Sequence, residues 1–230
     1  MLLEVGFWRD TCSALRRGDS VAVNSTHERS PLLQKSVSCP PDASQSTEED
    51  DSRRPDPTSL VDHTWYMTHG HLLSMLEWYL TEGACVESHE LGYSYCRFKC
   101  SASTKNPRLM GACTLTDGVY VWPEGYWHYI RCHHVKPPQE FLDHVTSNYR
   151  RALLAAKALN REFGDDVLFL WDAEFKKPVP MPAGMQQWIL DNTTLQLPGE
   201  SKKKTPVDVG RRPWDCLTSS MPNWCGCIIS

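Results

Sequence analysis

Asp117, Glu124 and His128 fall within twelve residues of one another. Two carboxylates and an imidazole at that density could serve as general acid and base. Glu124 and His128 are four apart, which places them on one face of a helix. The same residues have a structural reading as a hairpin turn, a helix cap and a half-buried histidine. That reading is favoured, because spacing alone does not put three groups into one pocket. No catalytic residue is therefore assigned. The chain also lacks a phosphate-binding loop and a nucleophile elbow.

Cysteine and histidine offer a second chemistry. Cys96 and Cys100 are four apart, and so are His128 and Cys132 on a predicted helix. Cys96, Cys100, His128 and Cys132 could assemble a tetrahedral zinc site. Against this, a zinc knuckle usually begins Cys-x2-Cys, and no second tight pair exists. Buried thiols acting as small hydrophobes are the simpler account. His63, His69 and His71 lie close together but have no carboxylate or cysteine at ligand spacing. No metal and no cofactor are expected.

A third chemistry stands at the end of the sequence. Cys227-Ile228-Ile229-Ser230 resembles a CaaX signal, whose thiol takes a prenyl group, with the final serine favouring farnesyl. Such signals imply removal of Ile228 to Ser230 and methylation of the new terminus. One lipid chain anchors only marginally, so a second signal is expected. Cys225 could be palmitoylated, and Lys202-Lys203-Lys204 with Arg211-Arg212 could face an anionic leaflet. The partners expected are a prenyltransferase, a membrane surface and an unidentified protein. A formal net charge of −4 without a strongly basic face gives no footing for nucleic acid.

There is no secretory leader pattern after Met1 and no run long enough to span a bilayer. The ten cysteines are then expected to stay reduced, on the cytoplasmic side of a membrane. The function expected is a prenylated cytosolic adaptor. The alternative is a membrane-recruited enzyme or zinc-binding protein using the Asp117/Glu124/His128 and Cys96/Cys100 region.

These groups need elements to hold them. Asp117-Gly118 predicts a type I′ hairpin turn between a strand over 109–115 and one over 119–122. Pro123 ends the second strand, and Glu124 opens a short helix rich in aromatics. Leu91 to Lys99 reads as a further strand. Helical spacing runs from His71 to Glu82 and from Pro138 to about Glu162. Val167 to Trp171 reads as a buried strand, 178–182 as an extended link, and Ala183 to Leu190 as a short helix. The fold class expected is α+β, a small antiparallel sheet flanked by helices, with disordered tails. Residues 1–59 are expected to be mostly disordered, their first stretch touching the domain at most weakly. Residues 60–197 form one domain, and 198–230 a flexible basic tail.

Within 91–145 the chain resembles a small uncharacterised family common in bacteria. The resemblance rests on Ser94-Tyr95-Cys96-Arg97-Phe98, on Thr116-Asp117-Gly118-Val119-Tyr120-Val121-Trp122-Pro123-Glu124-Gly125, and on His128-Tyr129, Val135-Lys136-Pro137 and Glu140-Phe141. It departs at Lys99-Cys100, Tyr126 and Pro137. It implies a shared fold and no assigned activity.

Overall fold

The computed structural model of the chain describes residues 2–9 and 54–197. Residues 10–53 of the expected N-terminal tail and all of 198–230, with Cys225 and Cys227, lie outside the described residues. The chain is α+β. Among the described residues six strands are formed, β1 Leu3–Glu4, β2 Cys85–His89, β3 Cys113–Thr116, β4 Tyr120–Pro123, β5 Phe169–Asp172 and β6 Lys177–Pro180. The helices are α1 His63–Thr68, α2 Gly70–Thr81, α3 Ser101–Lys105, α4 Tyr126–His133, α5 Gln139–Phe163 and α6 Ala183–Asn192.

The strands make one sheet in the order β1-β4-β3-β2-β5-β6. It is mixed rather than purely antiparallel, because β1 pairs parallel with β4 and β2 parallel with β5. Leu91 to Lys99 does not form the expected strand. Leu91 is 98% exposed, whereas Cys96 is buried, so this stretch serves a local site instead of a ladder. The strand beside β3 is the polar Cys85–His89, whose composition hid it. Pro178 and Pro180 lie in β6, an edge strand, where a missing amide proton is tolerated.

The hairpin between β3 and β4 stands where expected but is not type I′. Only Gly118 takes positive φ, at 87°, while Asp117 does not. Asp117 instead accepts the amide protons of Val119 and Tyr120 on Oδ1 at 2.8 and 2.7 Å. This side-chain-to-backbone turn replaces the second left-handed residue. Glycine is needed at 118 for its φ and because a Cβ there would stand 2.4 Å from the Trp171 ring.

The start of the chain is part of the domain, which corrects the expectation of weak contact. The Leu3 and Val5 amides donate to Val119 O and Val121 O at 2.9 and 3.0 Å. Val5 and Trp8 are buried, with the Trp8 ring 5.4 Å from that of Tyr129. At the centre, Trp122, Tyr126 and Phe141 are fully buried, so β4, α4 and α5 meet through aromatic rings. Trp122 Nε1 donates to Leu80 O at 3.2 Å, giving the buried indole its partner.

Candidate metal centre

Cys96, Cys100, His128 and His133 converge in one buried group whose ligand atoms all lie within 4.8 Å of one another. His128 Nε2 is 3.4 Å from Cys100 Sγ and 3.2 Å from His133 Nε2. Cys96 Sγ is 3.2 Å from His133 Nε2. Zinc bonds of about 2.0–2.3 Å to nitrogen and sulfur set tetrahedral edges of about 3.3–3.8 Å. These three spacings lie within a few tenths of an ångström of such edges, while the whole group extends to 4.8 Å and would draw in slightly around an ion.

The two cysteines come from one tight loop. The Lys99 amide donates to Cys96 O at 2.9 Å, and Lys99 itself is left-handed at φ 50°. This reversal brings both sulfurs to one side of the loop. The Cys96 thiol is pushed up, first by its hydrogen bond with Cys100 and then by burial, against a smaller opposing effect of the Phe98 and Cys100 amides. The Cys100 thiol is held far below its ordinary value, first by its hydrogen bond with Cys96, then by His128, His133 and Ser103 against the opposing effect of burial. The loop is pinned from outside by the Arg97 amide, which donates to Tyr129 Oη at 2.9 Å. The Phe98 ring stacks on His133 at 4.1 Å.

Both histidines come from α4. Three of the residues considered from sequence, Cys96, Cys100 and His128, meet here; the fourth is His133, not Cys132. In a regular helix a partner for His128 would be expected four residues on. The end of α4 is wider than that. The amide of His134, itself left-handed at φ 55°, reaches back five residues to Tyr129 O. The Val135 amide reaches the same carbonyl at 3.2 Å. The widened final turn swings His133 onto the side of His128. Both cysteines are buried, as the simpler account has it, and they also sit in a group of four side chains that could hold a metal ion.

Asp117 and Glu124 do not join His128. Glu124 is buried, and its carboxylate accepts the amides of Ala112, Cys113 and Thr194 at 3.0, 3.2 and 2.7 Å, and also the Thr194 hydroxyl. It clamps the entry of β3 to the segment after α6, rather than capping a helix as expected. Gly111 passes so close that a Cβ would stand 2.2 Å from that carboxyl. Asp117 Oδ2 lies 2.6 Å from His144 Nε2 on α5 and accepts the Tyr79 hydroxyl at 2.6 Å. His144 has no neighbour in sequence that marks it. His63, His69 and His71 are not brought together. His63 meets His134, with their Nδ1 atoms 2.6 Å apart, and His69 stacks on Trp65.

Comparison of the chain with protein-family models, with curated proteins and with solved structures finds no match.

Proposed function

We propose that this is a zinc-stabilised α+β interaction module whose Cys96, Cys100, His128 and His133 centre is structural. The observation that carries the reading is the convergence of four soft or borderline ligand side chains, all buried, with their ligand atoms within 4.8 Å of one another. Thiolate with imidazole selects zinc over the oxygen-seeking calcium and magnesium. Four protein ligands close the coordination shell, whereas catalytic zinc keeps a position open for water or substrate. The ion would tie the strandless 91–100 loop to α4, so that binding energy becomes folding energy. The test is zinc content of the purified full chain. One zinc per chain, with a lower melting temperature after chelation, supports the reading. A metal-free, chelator-indifferent protein that also fails to take up cobalt overturns it.

A second reading is favoured by Cys227-Ile228-Ile229-Ser230. Where Ser230 is the carboxyl terminus of the protein, this sequence would accept a prenyl group at Cys227, with Cys225 as a site for a second lipid. The module would then act as an adaptor on the cytoplasmic face of a membrane. Intact mass of the C-terminal peptide from eukaryotic cells, beside Cys227→Ser, decides it. An unmodified Ser230 in the wild-type chain rejects it.

A further inference from the structure

Between α5 and the strands β2 and β5 lies a cavity of about 340 Å³. That volume falls in the range of about 300–1,000 Å³ typical of small-molecule sites. Its walls are mainly small and apolar, with Ala152, Ala156 and Leu159 of α5 facing Val86, Leu168 and Trp171. At the cavity wall a chain of hydrogen bonds runs along α5 to the β3–β4 turn. Arg151 Nη2 donates to Asn148 Oδ1. Asn148 Nδ2 donates to His144 O at 2.8 Å and lies 3.1 Å from His144 Nδ1. His144 Nε2 lies 2.6 Å from Asp117 Oδ2, which the Tyr79 hydroxyl also reaches.

This network is closed as a catalytic device but open as a binding one. With Nε2–H given to Asp117, His144 has its one lone pair on Nδ1, and that faces the Asn148 amide. No base is left for a substrate. Asp117 is only 8% exposed in its side chain and is met by four donors, namely two backbone amides, Tyr79 and His144. Its charge is thus largely compensated within the protein. Arg151 differs: a guanidinium has five N–H donors, and the bond to Asn148 uses one. The other charged side chain at the cavity, Glu82, stands at the exposed C-terminus of α2. A single oriented cation beside an apolar cavity selects a monoanion with an apolar body. A cationic head would be repelled, and a dianion would need a second cation.

We propose that this cavity binds a single-chain apolar carboxylate, its chain lying between α5 and the sheet and its carboxylate paired with Arg151. The site is separate from the metal centre and does not depend on it. Calorimetric titration of the full-length, metal-containing protein with dodecanoate and with dodecanol, both below self-association, tests it. The wild type is expected to take up one dodecanoate per chain saturably. Arg151→Gln is expected to weaken dodecanoate by about tenfold or more and to leave dodecanol unchanged. Ala156→Trp, which fills the cavity, is expected to abolish both, with Leu159→Trp as a second blocking variant if the first does not fold. Absence of saturable binding by the wild type overturns the proposal. So does unchanged binding by a folded cavity-filled variant, or equal loss of acid and alcohol in Arg151→Gln. Zinc content and melting temperature of the same samples separate these outcomes from failure of the metal reading.

Discussion

His128 Nε2 and His133 Nε2 lie 3.2 Å apart although they stand five positions apart on one helix. The widened end of α4 makes this possible, and it separates two neighbouring residues that a helical wheel would rank the other way. His133→Ala removes a ligand and is expected to lower zinc affinity by at least about a hundredfold, the upper end of what loss of an outer-shell partner costs. Cys132→Ser, which the wheel would favour as the ligand, is expected to retain one zinc per chain. Competition with a chromogenic chelator measures both. If Cys132→Ser releases the metal and His133→Ala does not, the assignment fails.

Glu124 is the buried carboxylate whose loss should be costly without touching the metal. Each of its oxygens accepts from more than one donor, and three of those are backbone amides with fixed positions. Glu124→Gln turns one acceptor into a donor that faces amide protons. The expected cost is about 2–4 kcal/mol, since hydrogen bonds to charged groups contribute roughly 1.5–3 kcal/mol. Urea unfolding measures it. Unchanged zinc stoichiometry in the folded variant would separate the clamp from the ligand group.

Helices α2, α4, α5 and α6 and the position of the hairpin were legible because their signals are local, whereas the short α1 and α3 were not read. The expected 138–162 helix is formed as Gln139–Phe163, from a regular apolar stripe behind a proline start. The candidate metal centre was half legible. Cys96, Cys100 and His128 stood out by type, but the fourth ligand depends on how a helix ends, and periodicity assumes a regular turn throughout. The strand at 85–89 was missed because its burial alternates weakly and its residues are mostly polar. Tyr93 and Tyr95 misled in the other direction: they look like strand residues but are exposed, in a stretch held by the Cys96 turn and Tyr129. The Asp117–His144 pair spans 27 residues and has no sequence signature.

Trp8 gives the start of the chain its value. Its ring packs on Tyr126 and Tyr129, and only 6% of the residue is exposed. Trp8→Ala is expected to destabilise the domain by about 3 kcal/mol, the low end of the range for buried tryptophan, because the residue sits at an edge that can relax. Chemical denaturation checks this. A loss below about 0.5 kcal/mol would mean that the first residues are peripheral.

Cys85 supplies a pH dependence of definite sign. Its thiol, in the wall of the apolar cavity, is pushed up from 9.0 to about 12, first by burial and then by the charge of Asp117. Below about pH 9 the thiol is neutral whether the chain is folded or not, and the stabilisation is fully present. Between pH 9 and about 12 the unfolded chain releases the proton while the folded chain keeps it, so stability falls as pH rises. The slope for this one group approaches about 1.4 kcal/mol per pH unit. Cys113 is raised to about 12 as well, by burial and Glu124, so the wild type should lose stability at about twice that rate from these two thiols. Cys85→Ala removes one contribution and is expected to flatten the alkaline limb by about 1.4 kcal/mol per unit relative to wild type. The comparison cancels the tyrosines, which titrate in both proteins. Urea unfolding of the two chains at several pH values from 8 to 11 reads the difference directly. Parallel limbs would show that neither burial nor Asp117 acts on Cys85 in solution, and that the cavity wall is open to water there.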